Sequence, residues 1–422
     1  MLDLLNLPGV TPVDLRSSHK DITIVAEVNE GDVPNCPQCQ KPLYRHGKRV
    51  TTFADTPIQM QPVRLEVSRP RYRCAECAKL VTPELSFLDE RRRATARLVD
   101  AVRERCLGQT FHSLAEQTGL AVNTIKNIAN DLIEELEENV RYETPVILGI
   151  DEVMIGGKYR CVMTNLATNN VFEILEVRTQ EVLKAYFKTL RDREKVEWVC
   201  TDMWRPLKNS FSAYLPNAKL IIDKFHVVKM ANEALEKVRK SLRESLSPKQ
   251  RRGLMHDRFV LLKRERDLND REALLLSGWI KNYPELGEAY RLKEQFFGIY
   301  DAESPDEAQA KYLQWERSLT PEIADAFSDI TRAWGNWTWP ILAYFEHPVT
   351  NAYTESLNSL IRVMNRLGRG YSFEALRAKI LFAEGAHKHK SSRPKFERKD
   401  RRTAEQAPVV MYGLPGNFKN FE

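Results

Sequence analysis

At 422 residues the chain is too long for one ordinary hydrophobic core, and two to four domains are expected. Its 42% hydrophobic and 29% charged residues are those of a globular protein, and no apolar run is long enough to span a bilayer. Met1–Val10 lacks a basic segment leading into an apolar one, so no secretion signal is read and a cytoplasmic protein without membrane partners is expected. The net charge of +6 decides little. Its distribution says more: Arg91-Arg92-Arg93, Lys237–Arg266 and Lys388–Arg402 are dense in Lys and Arg, which suits a polyanion, although any one cluster alone reads as a solvated helix face. Seven cysteines, an odd number, argue against a disulfide framework, and Cys106, Cys161 and Cys200 read as core thiols.

In chain order, residues 1–90 read as a small β-rich zinc module. Cys36-Pro-Gln-Cys39 and Cys74-Ala-Glu-Cys77 each place two thiolates on one tetrahedral ion, and Gln40–Arg73 is long enough for hairpins that return the chain to it. Strands are predicted at Ile22–Val28, Thr51–Phe53 and Val63–Val67. Four thiolates leave no open position, so one structural Zn2+ is expected. Arg45, His46, Lys48, Arg49, Arg64, Arg69, Arg71 and Arg73 make a basic ribbon suited to DNA phosphates.

Residues 91–142 carry a helix-turn-helix pattern. Leu98, Val99, Val102 and Cys106 recur at helical spacing over Thr95–Leu107. In the stretch from Phe111 to Ile125, Ala115 lets two helices approach, Gly119 makes the turn, and Leu120, Val122 and Ile125 clamp the second helix. That second helix presents Asn123, Thr124, Lys126, Asn127 and Asn130 outward as base or phosphate contacts; the plain alternative is a helical hairpin with no DNA role.

The next part, 146–228, predicts three strands (Val146–Ile155, Tyr159–Leu166, Val171–Val177), a helix over Val182–Leu190, a strand over Val196–Thr201, a helix over Leu207–Tyr214 and a last strand over Lys219–Ile222. This is the plan of a ribonuclease-H-like domain, in which the centre of the first strand and the end of the fourth lie side by side. Asp151 and Asp202 occupy those places. A carboxylate inside an apolar strand is costly to bury unless paired, and two together call for a divalent cation; oxygen ligands select Mg2+ or Mn2+. Glu152 is the lesser alternative because strand alternation points it away. Asp202 is open to a second reading as a helix N-cap. Asp223 reads as a cap for the next helix, and His226 is open between a DNA or metal contact and a satisfied structural histidine.

Residues 229–347 give an all-helical insertion, with helices predicted at Lys229–Leu246, from Ser247-Pro248 onward, and around Arg271–Tyr283, Leu286–Tyr300, Pro305–Ser318 and Pro321–Trp334. Trp334, Trp337 and Trp339 read as core aromatics, with base stacking as the sharper alternative. Closing helices follow at 348–386. There Asn351, Glu355, Asn358 and Arg362 share one helical face, a grouping that suits an active site gripping a phosphate as well as an exposed polar face. A basic tail, 387–422, completes the chain.

The succession of Gly-Ile-Asp-Glu at 149–152, Thr-Asp-Met-Trp-Arg-Pro at 201–206, Asp-Lys-Phe-His-Val-Val at 223–228 and Asn-Ala-Tyr-Thr-Glu-Ser-Leu-Asn at 351–358, behind two CxxC pairs and a helix-turn-helix, resembles the ISL-three family of bacterial insertion-sequence transposases. The resemblance covers nearly the whole chain. It implies a multidomain α/β protein, a ribonuclease-H-like DDE core with an all-α insertion, in which Asp151, Asp202 and Glu355 are the catalytic triad and Asp223, Phe225, His226 and Val227 match the family's Asp-x-Phe-His-Val segment. It further implies two Mg2+ (or Mn2+) ions per active site, with Asp151 bridging them, and cleavage followed by strand transfer on double-stranded DNA. Terminal inverted repeats and target DNA are then the partners, with Arg45, Lys48, His226 and Arg362 joining the helix-turn-helix in DNA contact, and pairing two ends requires a homodimer or larger assembly at the nucleoid. Two competing readings are a non-catalytic zinc and helix-turn-helix DNA-binding regulator, and a ribonuclease-H-like nuclease that joins nothing.

Overall fold

A computed structural model describes residues 6–384 apart from 30, 32, 141–142 and 209–210. The basic tail expected at 387–422 lies outside the described residues. The N-terminal part is a sheet of seven strands: β1 (Val10–Ser17), β2 (Ile22–Val28), β3 (Leu43–Ile58), β4 (Gln61–Cys74), β5 (Leu80–Val81), β6 (Leu88–Asp89) and β7 (Ala94–Thr95). The spatial order is β1-β2-β4-β3-β7-β6, with β5 also on β4. Ile24, Ala26, Phe53, Val63, Leu65 and Val67 alternate inward and form its core, as period-two patterning dictates. The β3–β4 hairpin is far longer than the short strands read from the sequence, and its polar distal half holds by ladder pairing from Leu43↔Cys74 to Ile58↔Gln61.

Three helices follow: α1 (Ala96–Arg105), α2 (Phe111–Thr118) and α3 (Val122–Asn139). The Thr95 and Thr110 hydroxyls accept the Leu98 and Ser113 amides and so cap α1 and α2. Gly119 ends α2 at φ 71, and a Cβ there would lie 3.1 Å from the Pro62 Cβ, so the turn needs glycine for both its backbone and its packing.

The second sheet contains β8 (Ile147–Ile155), β9 (Lys158–Asn165), β10 (Asn170–Leu175), β11 (Trp198–Thr201) and β12 (Lys219–Ile222) in the order β10-β9-β8-β11-β12. The first three strands are antiparallel, and β11 runs parallel to both β8 and β12. Helix α4 (Gln180–Thr189) joins β10 to β11. Of the helix expected over Leu207–Tyr214, α5 (Arg205–Lys208) takes the start and a 3-10 turn covers Phe211–Ala213, while 209 and 210 lie outside the described residues. Ile150 pairs with Thr201, so the next residue of each strand, Asp151 and Asp202, comes to the same end of the sheet.

From Lys224 to Glu346 every described element is helical: α6 (Lys224–Ser241), α7 (Pro248–His256), α8 (Arg258–Leu262), α9 (Asp270–Asn282), α10 (Pro284–Ile299), α11 (Pro305–Arg317) and α12 (Pro321–Glu346). Phe296, Trp315, Phe327 and Trp334 fill their shared core, with Tyr312 stacked on Trp334 at 4.1 Å. Helix α12 continues past Trp334 with a kink at Trp337. Pro340 has no N–H to offer the Asn336 carbonyl one turn back, and the Lys208 ammonium donates to that carbonyl instead. Trp334 and Trp337 are core residues as expected; Trp339 is not, being 82% exposed on the outer face of the kink.

The chain closes with α13 (Ala352–Gly368), α14 (Phe373–Lys379) and a π-turn over Ile380–Glu384. Leu357 and Ile361 of α13, Val153 and Val162 of the second sheet, and Leu114 and Ile128 of the helix-turn-helix belong to one hydrophobic core. The buried Lys379 ammonium donates to the carbonyls of Cys106, the C-cap of α1, and of Leu107 (3.2 Å) and Gln109 (2.7 Å) in the loop that follows.

Candidate active site and metal centres

The two CxxC pairs meet. Cys36 Sγ lies 3.5 Å from Cys77 Sγ, Cys39 Sγ lies 3.4 Å from Cys74 Sγ, and all four sulfurs fall within 4.8 Å of one another. Four sulfurs at about 2.3 Å from a tetrahedral zinc stand about 3.8 Å apart, so the donor set fits that ion. Both knuckles fold alike: Gln40 (φ 58) and Ala78 (φ 55) follow the second cysteine of each pair in the left-handed conformation. The turns aim backbone amides at sulfur; those of Cys39 and Gln38 draw the Cys36 thiol down to about 6, and the Cys77 amide lowers that of Cys74. Against the Lys41 amide, the Cys74 sulfur and burial push Cys39 up to about 12, and against the Lys79 amide, burial and the Cys36 sulfur push Cys77 up, so the four thiols ionise together only with a cation between them.

The second site is a cleft of about 570 Å³ at the centre of β8 and just past the end of β11, beside α13, lined by Asp151, Asp202, His226, Glu355, Asn358 and Arg362 among others. Helix α13 is pinned across the sheet by a buried polar chain. Asn351 Nδ2 donates to the Ile150 carbonyl (3.1 Å), the Thr354 hydroxyl donates to Asn351 Oδ1 (2.8 Å), and Thr164 of β9 shares a 2.7 Å bond with Thr354. One turn on, Asn358 Nδ2 donates to Asp151 Oδ2 (2.8 Å). Gly149 makes the close approach possible: a Cβ there would stand 2.5 Å from Thr164 Oγ1 and 2.6 Å from Asn351 Oδ1. Thus Asn351 and Asn358 are buried positioning groups, while Glu355 and Arg362 on the neighbouring edge of the helix are exposed to the cleft.

Asp151 is buried, and burial pushes its carboxyl above the usual range, with nearby Asp202 adding to the effect. Asp202 is not a helix N-cap. Both its oxygens accept from the Arg178 guanidinium, whose side chain is 2% exposed, is 3.4 Å from Glu152 and lies over the Trp204 ring at 4.6 Å. Nothing in the sequence reading singled out Arg178; the signal was a cation directly before the helix-capping Thr179, facing a strand that ends in Asp202. Glu152 also reaches the cleft, against the expectation from strand alternation, because Arg178 lies between it and Asp202.

Asp223 caps α6 as expected, accepting from the Phe225 amide at 3.3 Å. Its other oxygen, His226 Nε2 and Asn358 Oδ1 are buried without a hydrogen-bond partner. His226 therefore is not the satisfied structural histidine; its Nε2 stands 4.0 Å from Glu355. Among the described residues, the groups whose ligand atoms all lie within 4.8 Å are the four cysteines and Asp223–His226–Glu355. The expected triad shares the cleft without closing to that distance. The physical reason is that Arg178 holds Asp202, Asn358 holds Asp151, and Glu355 turns toward His226. Four carboxylates (Asp151, Glu152, Asp202 and Glu355) line the cleft, and Asp223 joins His226 and Glu355 within 4.8 Å, an oxygen-rich donor set that suits divalent cations.

Of the residues expected to meet DNA, Asn123, Lys126 and Asn127 are exposed along the start of α3, and Thr124 is half-buried beside them. Arg45 and Lys48 are exposed on β3, where Lys48 pairs with Glu27 at 3.3 Å. Arg69 leaves the basic ribbon: it is buried, bonding the Pro83 carbonyl and Glu90.

Zinc knuckles, a helix-turn-helix and an acidic cleft on a mixed sheet are the parts of a DNA transposase, and comparison with known families agrees part by part. Residues 148–380 match a family model described as a transposase of the DDE type, 83–133 match the helix-turn-helix domain of transposase family ISL3, and 32–77 match the zinc finger of the IS204/IS1001/IS1096/IS1165 transposases. The chain belongs to the ISL3 family of transposases. It is 24% identical over 344 residues to the transposase for insertion sequence element IS1001 of Bordetella parapertussis, covering 80% of this chain and 85% of that protein. It is also 27% identical over 200 residues to the transposase for IS1557 of Mycobacterium tuberculosis, covering 41% and 44%.

Proposed function

We propose that the protein binds the terminal inverted repeats of an insertion sequence and catalyses cleavage and strand transfer at their ends by in-line phosphoryl transfer. The observation that carries this reading is the cleft lined by Asp151, Asp202 and Glu355 together with Arg362 and His226. The sheet order, antiparallel then parallel, supports a ribonuclease-H-like core of 146–228 and 348–386 interrupted by the helical stretch 229–347. The zinc module (1–90) and helix-turn-helix (91–142) form the end-binding part.

In this reading Asp151, Asp202 and Glu355 hold Mg2+ or Mn2+. Two such ions, when bound, activate the attacking oxygen and stabilise the leaving one. Asn358 orients the Asp151 carboxylate for that task, and Arg178 holds Asp202 in place beforehand. Arg362 holds a non-bridging phosphate oxygen at the cleft rim, and His226 either contacts the same phosphate or joins Glu355. Asn123, Thr124, Lys126 and Asn127 read and grip the DNA, and Arg45 and Lys48 follow its backbone. Bringing two ends together requires at least a dimer acting at the nucleoid.

The test is magnesium-dependent cutting and joining of a labelled duplex taken from beside the gene, with Asp151→Ala and Asp202→Ala in parallel. Wild type should cut and join while both variants bind only. Cutting by Asp151→Ala removes the assignment, and specific binding by wild type with no cutting under any metal turns the conclusion to a regulator.

A further inference from the structure

The chemistry above uses α13 only as far as Arg362. Glu355, Ser359, Arg362 and Arg366 recur every three or four residues, are all exposed, and therefore line one edge of the helix. Arg369 continues the line from the C-cap, at φ 46. There Arg369, Gly370 and Tyr371 meet Phe111, His112 and Lys126 around a second cavity of about 150 Å³. The far end of the catalytic helix thus abuts the start of the recognition helix α3. The junction is packed, since Tyr371 lies edge-on to Phe111 at 5.0 Å and both sides share one hydrophobic core. Among the described residues, Lys126, Arg362, Arg366 and Arg369 enter no ion pair. Three guanidiniums also outweigh the partial negative charge, about half an electron, of the helix C-terminus.

Resting on the reading of the chain as an end-binding transposase, we propose that α13 is a track for duplex DNA running from the recognition helix to the acidic cleft of the same subunit. The occupant follows from what lies at the two ends: a DNA-reading helix at one and a phosphate-cutting cleft at the other. Phosphates between the recognised bases and the cut contact Arg369, Arg366 and Arg362 in that order. From Glu355 to Arg369 the helix rises about 21 Å, which corresponds to about six base pairs of B-form DNA. Each subunit then cuts the end that its own helix-turn-helix holds, about six base pairs from the recognised site.

The test compares wild type with Arg366→Gln/Arg369→Gln on two duplexes: an end duplex of about four helical turns, and the same duplex shortened by about one turn from the cleaved side. On the full duplex the double variant should bind about tenfold more weakly, and the slope of log affinity against log salt should flatten by roughly one per lost contact. On the shortened duplex the two proteins should bind alike, which also shows that the variant is folded. Equal loss on both duplexes, or on neither, overturns the track. A mixture of Asp151→Ala with Lys126→Ala/Asn127→Ala, each inactive alone, should stay inactive; restored cleavage shows that one subunit cuts the end another holds and overturns the same-subunit path. Failure of wild type to prefer the end duplex over unrelated DNA is a different result, and removes the end-binding reading together with the track.

Discussion

Replacing Gly149 by alanine adds one methyl group at the point where α13 crosses the second sheet. Its Cβ would stand 2.5 Å from Thr164 Oγ1, 2.6 Å from Asn351 Oδ1 and 2.9 Å from Thr354 Oγ1, where ordinary contact begins at 3.4 Å. All three neighbours are buried and bonded to each other, so none can swing aside alone; the helix must back off by about 0.5–1 Å. Overpacking of this kind costs about 1–3 kcal/mol, and stretching the Asn351 bond to the Ile150 carbonyl adds about 1 kcal/mol. Urea unfolding should therefore show a loss of about 2–4 kcal/mol at unchanged slope. The larger effect falls on cleavage, because Glu355 and Asn358 ride on the same helix and a shift of about 1 Å at reacting groups costs about a hundredfold. End binding should persist. A Gly149→Ala protein with wild-type stability and cleavage would show that α13 is not seated by this contact.

Three further outcomes follow from the geometry. Arg178→Met strips a half-buried Asp202 of its counter-ion, so the metal-free protein should lose about 2–4 kcal/mol in urea unfolding. Saturating Mg2+ should restore more stability to the variant than it adds to wild type; equal restoration refutes the pairing argument. Lys379→Met leaves the Cys106, Leu107 and Gln109 carbonyls without their donor and should cost about 2–4 kcal/mol, read by chemical unfolding, with faster amide exchange at the end of α1. Cys36→Ser, or stripping of the metal with a strong chelator, should abolish amide protection around Leu43 and Tyr72, which pack on the thiols, while β8 stays protected; unchanged protection around the thiols means they hold no ion.

The elements with clean periodicity were legible in the sequence. β2 and β12 have the predicted bounds, and the Gly119 turn stands where small residues and a glycine placed it. Bringing Asp151 and Asp202 to one end of a sheet was also legible, because it depends on strand order and register alone. Side-chain pairing across 24 or 201 residues was not. Arg178 looks like an ordinary polar residue before a helix until the fold sets it against Asp202, and Asn351 looks like surface until Gly149 admits it. The expected helix over Leu207–Tyr214 has suitably spaced apolar residues, yet its second half, Phe211–Ala213, is a 3-10 turn. Trp339 shows the limit of composition: the same helix buries Trp334 and Trp337 and exposes the third tryptophan.

The single core beneath α3, β8 and α13, fastened at its margin where Arg377 holds Glu173 at 2.7 Å and Glu137 at 2.5 Å, bears on how such proteins diversify. A reading head joined by a loose tether can be exchanged for another without disturbing the machine behind it. Here an exchange would have to rebuild the underside of the sheet that carries Asp151. New sequence preferences are therefore expected to arise by substitution on the outer face of α3, and the lineage to inherit its reader and its cutter as one piece.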